Sequence, residues 1–366
     1  MISSDFDSGL RLNGRGEWYS SPPDYMTVIL GGLRSVVRLQ SNTPELLKSP
    51  PAIHLDLARN SQLGASTFIY NGQYFIALNH GSFHVLGDLF SRLLSDSRVL
   101  TWVGNAQAES TDPGDMVDYY TSFDELVDKA HNGQYHFRSP IDPFRRDVAF
   151  LLTKCALCFL IEHELSHILF GHLDFLETRG GNAANRLDRQ TMEFQADITA
   201  TLRSGLVVLR GVRGKTDFAL LSRFSEVERI LLFHFAVSLL IRIHGNEGYF
   251  EDSTGTKNHP PNHLRWGVHA SYLHPLAQKA GVDVTIEELW TRVILQLNES
   301  EKAYTYLTGQ VLNVRPYFSK EYQWRSAMHR AIHENWNPMR EKMLNFTYIN
   351  VLPWEPWKAP DHWAKD

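Results

Sequence analysis

The rhythm of apolar and polar positions changes along the chain. Up to about residue 145 it is mixed. MTVIL (26–30) and SVVRLQ (35–40) are rich in β-branched residues and predict strands. TFIYNGQYFIAL (67–78) alternates on both sides of Asn71-Gly72. That dipeptide supplies the positive φ angles of a two-residue hairpin turn, so a β-hairpin is expected. HVLGDLFSRLLSD (84–96) has helical spacing, and the polar, Gly- and Pro-containing stretch 104–116 predicts a loop.

Beyond residue 145 the pattern turns helical. Asp142-Pro143 has the form of an N-cap followed by proline at the first helical position, and no Gly or Pro interrupts the chain from there to Gly171. Further helices are expected near 188–209, 217–244, 263–274, 285–309 and 319–345. The tail VLPWEPWKAPDHWAKD (351–366) is rich in Trp and Pro and is expected to lie extended across the surface, its tryptophans in grooves. These readings give an α+β fold, mostly α, divided into an N-terminal α+β part with a β-hairpin layer (1–145), a helical core (146–275) and a C-terminal helical extension (276–366).

The most apolar stretches, VAFLLTKCALCFLI (148–161) and ILLFHFAVSLLIRI (230–243), are too short for a membrane span and carry Lys, His or Arg, so they read as buried helices. The first residues have no apolar run after a basic start, and no secretory signal is expected. A formal net charge of -5 shows no bias toward nucleic acid or anionic membranes. The two cysteines, Cys155 and Cys158, are too few for a disulfide framework and fit a cytoplasmic chain. Their CxxC spacing lies inside an apolar helix with no second pair elsewhere, so they read as small core residues.

The candidate chemistry sits in FLIEHELSHILFGH (159–172). His163 and His167 are four residues apart, which puts both imidazoles on one helical face within reach of one ion. Glu164 follows the first and can address a water on that ion. HExxH is the zincin motif. With 17 histidines in the chain, a chance match has a probability of roughly a few per cent. A catalytic zinc needs a third protein ligand. The metzincin extension fails, because Phe170 stands where Gly is required and Leu173 where His is required. His172 then reads as a helix C-terminal residue favoured by the dipole. MEFQAD (192–197) offers Glu193 as ligand, with Asp197 on the same face to accept the outer N–H of a ligand histidine. Their apolar neighbours imply burial, and a buried carboxylate pair without a cation is costly. Glu177 is a weaker competitor, in LETRGGN, which reads as a loop.

HELSH, EFQAD and HPPNHLR (259–265), in that order, resemble the gluzincin peptidases of the HtpX and CAAX-prenyl-protease type. That resemblance implies Zn2+ held by His163, His167 and Glu193, with Glu164 as catalytic base, Asp197 behind the ligands, and His259, Pro260 and Arg265 in an HP-x4-R segment. Those families are membrane proteins, and this chain shows no spans. Over about residues 145–270 the layout is similar to the soluble Lit-type phage-exclusion peptidases, including GYFEDSTGTKNHPPNHLRW (248–266). This implies an intracellular endopeptidase acting on a folded host protein, in that family a translation factor. His259 is then expected near the zinc as a donor to the oxyanion, and Arg265 behind Asp197 or Glu193. Three alternatives stay open: a regulatory peptidase of the ImmA/IrrE type, a zinc-containing binding protein without peptidase activity, and a non-peptidase zinc hydrolase. Residues 276–366 carry no resemblance that names a substrate or partner.

Overall fold

The computed structural model describes residues 2–42, 46–50, 52–112, 125, 127–129, 138–178, 185–210, 219–244, 260–309 and 327–350. It is mostly helical with one small mixed sheet. The described elements are α1 (Ile2–Leu12), β1 (Glu17–Trp18), α2 (Asp24–Gln40), β2 (Ile53–Arg59), β3 (Ala65–Tyr70), β4 (Gln73–Asn79), α3 (Gly81–Leu94), α4 (Pro143–Leu169), α5 (His172–Thr178), α6 (Arg186–Arg210), α7 (Glu226–His244), α8 (Asn262–Ser271), α9 (Leu273–Ala280), α10 (Ile286–Thr308) and α11 (Ala327–Met343). None of these helices is long and apolar enough to cross a membrane.

The sheet runs β1-β2-β4-β3. β3 and β4 form the expected hairpin, Tyr70 opposite Gln73, with Asn71 (φ 50°) and Gly72 (φ 70°) supplying the turn. β2 joins the other side of β4 in parallel, Leu55 opposite Ile76. Period-two alternation sorts the side chains. Leu55, Leu57, Tyr74, Ile76 and Leu78 face the main core, whereas Ala58, Phe68, Phe75 and Ala77 pack with Phe6 and Leu10 of α1.

Residues 26–40 are a correction. The two segments read as strands form one helix, α2. Its buried residues Met26, Ile29, Leu30, Leu33 and Val37 follow a helical stripe, and that periodicity outweighs the β-branched composition. α1 and β2 are additions. The expected helix at 263–274 divides at Tyr272 into α8 and α9. Pro275 in the first turn of α9 has no N–H to donate to the preceding turn. The helix expected from 217 begins at Glu226, where Ser225 and Glu228 cap each other: Glu228 Oε2 accepts from Ser225 N at 2.7 Å, and Ser225 Oγ from Glu228 N at 3.3 Å. The Trp-rich tail, residues 319–326 and residues 113–116 of the expected loop lie outside the described residues.

α4 is the centre of the molecule. Asp142 caps it, accepting from Phe144 N at 2.7 Å and Arg145 N at 3.0 Å, with Pro143 at the first position. The fully buried Arg145 ties this end to the turn after α3. Its guanidinium donates to the carbonyls of Leu94, Asp96, Val99, Leu100 and Val103 at 2.7–3.1 Å. The middle of α4 is apolar apart from Thr153 and Lys154 and packs against α3, α6 and α7, and Cys155 and Cys158 are buried there as free thiols. At the other end Gly171 (φ +71°) reverses the chain. A Cβ there would also come within 2.5 Å of the Phe346 backbone. The C-terminal strap crosses at this point, with Tyr348 N donating to Leu169 O at 2.7 Å.

Candidate metal centre

The last turns of α4 present His163 and His167 toward α6, and α6 presents Glu193 back. His163 Nε2 lies 3.2 Å from His167 Nε2 and 3.2 Å from Glu193 Oε2, while His167 Nε2 lies 3.6 Å from Glu193 Oε1. A zinc–nitrogen bond of about 2.0–2.1 Å puts two donors on one tetrahedral ion about 3.3 Å apart. The observed separations bracket that value. These three residues are the one group among the described residues whose donor atoms converge in this way. Their side chains are 7, 12 and 14% exposed, so the centre is sunk in the protein but not sealed from solvent.

Two chains of polar residues aim the imidazoles. His163 Nδ1 stands 2.9 Å from Asp197 Oδ1. Arg265, one turn into α8, donates to the same carboxylate through Nε at 2.7 Å and Nη2 at 2.8 Å. Burial alone would raise the Asp197 pKa, but the Arg265 charge overrides it and holds the carboxyl ionised, below the ordinary range. An ionised Asp197 accepts from His163 Nδ1–H, leaving the Nε2 lone pair for the centre. Burial alone would lower the pKa of His163, but the hydrogen bonds and charges of Asp197 and Glu193 raise it to about 10. The site therefore favours a positive charge between these carboxylates.

The second chain was not foreseen from the sequence. His172, read as a dipole-favoured helix end, is instead fully buried at the start of α5. Its Nδ1 is 2.8 Å from His167 Nδ1, and its Nε2 is 3.0 Å from Gln195 Oε1. The amide oxygen only accepts, so His172 Nε2 carries the proton. His172 Nδ1 then accepts from His167 Nδ1–H, and His167 Nε2 is free of a proton on the side of the centre. Burial keeps His172 neutral, lowering its pKa to about 4. The signal available in the sequence was the Gly171 stop: a positive-φ reversal returns the next side chain onto the helix just left.

Glu164 is half-buried on α4 and lies within electrostatic reach of Arg265. Glu177 is exposed on α5, a short helix where a loop was expected, and does not join His163, His167 and Glu193. His259 lies outside the described residues; Pro260 and Pro261 lead directly into α8. Comparison of the chain with protein-family models, with curated proteins and with solved structures finds no match.

Proposed function

We propose that the chain is a zinc-dependent endopeptidase of the gluzincin kind, hydrolysing a peptide bond in an intracellular protein. The observation that carries this reading is the convergence of His163 Nε2, His167 Nε2 and a Glu193 carboxylate oxygen, with both histidines tautomerically fixed from behind. Soft thiolates are absent from the set, and two imidazoles with one carboxylate suit zinc in a hydrolytic role. When bound, zinc polarises a carbonyl and lowers the pKa of its water to about 7.

The chain's own residues do the rest. Glu164 neighbours the ligands in sequence without belonging to the converging set, as a general base must. Its carboxylate takes the proton of the attacking water and returns it to the leaving amine nitrogen. Asp197 and Arg265 hold His163 in one orientation, and His172 with Gln195 holds His167. The resemblance to Lit-type peptidases extends the reading: a folded host protein as substrate, a translation factor in the first instance, and phage exclusion as the setting. It also assigns His259 as donor to the oxyanion.

Replacing Glu164 by Gln tests the proposal. The variant is expected to keep its zinc and its circular-dichroism spectrum while losing hydrolysis by about 10²–10⁴-fold. Activity is read as new protein termini mapped after induction in cells. Undiminished cleavage by the variant, or no new termini with the wild-type chain, overturns it.

A further inference from the structure

A second pair of histidines stands one helical turn apart on α11. His329 Nε2 and His333 Nε2 lie 3.1 Å from each other, against 3.2 Å for the pair in the centre above. On an ion with bonds of about 2.0–2.1 Å, that separation corresponds to an angle of roughly 100° between the two donors. The rings are closer than in the first pair, 4.2 against 4.9 Å between centroids, so an ion would open them slightly. Both side chains are half-buried.

The surroundings fix the pair in place. Phe194, the residue after Glu193, meets both rings edge-on, with centroids 5.8 and 6.2 Å away. Ile332 and Trp336 of α11 pack with Phe194, so the helix cannot turn its histidines away without breaking that cluster. Two adjacent residues of α6 thus serve two histidine pairs: Glu193 faces the first, Phe194 backs the second. Burial lowers the pKa of each ring to about 4, leaving both neutral at pH 7, the form that ligates. Among the described residues no carboxylate or thiol completes a set of three with them.

We propose that His329 and His333 form a second metal site, weaker than the first, for an imidazole-preferring divalent ion such as Zn2+, Ni2+ or Cu2+. Two nitrogen donors without a carboxylate select against Mg2+ and Ca2+. The remaining positions on the ion go to water or to an outside donor. Without an ion, an N–H···N hydrogen bond between the neutral rings accounts for the same contact, and the ion has to displace it.

The test uses the full chain, stripped of metal, given one equivalent of Zn2+ and then titrated with Ni2+. Calorimetry is expected to show a second binding step, and the paramagnetic ion should broaden the ring resonances of His329 and His333 before other histidines. The double variant H329A/H333A should lose this step and keep the first. E193A should lose the first and keep the second, so the two sites fail independently. Absence of the second step in the wild-type chain, its survival in H329A/H333A, or sharp His329 and His333 signals throughout the titration overturns the proposal.

Discussion

His163 and His234 are both buried, on helices that pack against each other, yet their pKa values move in opposite directions. His234, in the middle of α7, stacks on His269 of α8 at 5.3 Å between centroids and meets Ser238 and Trp266. Burial pushes its pKa down to about 3, the Val293 backbone offsetting only part of the effect. At His163, burial acts the same way, but Asp197 and Glu193 overcome it and the pKa rises to about 10. The difference lies in what faces the ring. A histidine among neutral partners stays neutral in the core, and one between two carboxylates sits where positive charge is favoured. Composition cannot separate the two, because both sit in equally apolar helices.

The largest effect comes from breaking the charged region. Asp197→Ala leaves Arg265 buried without the carboxylate it hydrogen-bonds, and should destabilise the metal-free protein by about 3–5 kcal/mol in urea denaturation. It should also weaken zinc by about 10–100-fold. A loss of stability within the range of an ordinary surface substitution would show that the pair does not hold α6 to α8.

The neutral region is tested by pH. A histidine whose folded pKa is depressed contributes fully above its unfolded value, near 6.5, and loses stability as pH falls toward the folded value. His234 and His269 both behave this way, since burial lowers each. Between pH 6.5 and 4.5 His234 alone accounts for about 2–3 kcal/mol. His234→Leu should flatten the stability profile in this window by that amount. An unchanged slope would mean that the ring titrates freely in the folded chain.

The smallest expected effect concerns the partner of His167. His172→Ala should reduce zinc affinity about 10–100-fold with the fold retained. Gln195→Leu should follow it, and Gln195→Glu, which keeps an acceptor, should not. Nitrogen-15 spectra of the wild-type rings give an independent reading: His172 protonated at Nε2, His167 at Nδ1. The opposite tautomers would sever this chain of hydrogen bonds.

Much of the site was legible because its signals are local. The Asp142-Pro143 start, the Gly171 stop and the four-residue spacings of His163/His167 and Glu193/Asp197 each lie within one helix. The Asn71-Gly72 hairpin is local in the same sense. α2 was misread because its β-branched residues carry strand propensity, whereas its helical stripe is apparent only across all 17 positions. α1 was missed because its apolar face is little more than Phe6 and Leu10, and that face has meaning only against the sheet. His172 was misassigned for a related reason: its role depends on Gln195, 23 residues away and on another helix. Contacts across elements leave no pattern in the spacing.

The central claim is that His163, His167 and Glu193 together hold one zinc ion. Anomalous diffraction at the zinc edge, from crystals of the chain loaded with one equivalent, tests it directly. The expected result is a single strong peak about 2.0–2.2 Å from His163 Nε2, His167 Nε2 and a Glu193 carboxylate oxygen. A peak with Glu177 or His172 in place of Glu193, or no peak between α4 and α6, would contradict the account.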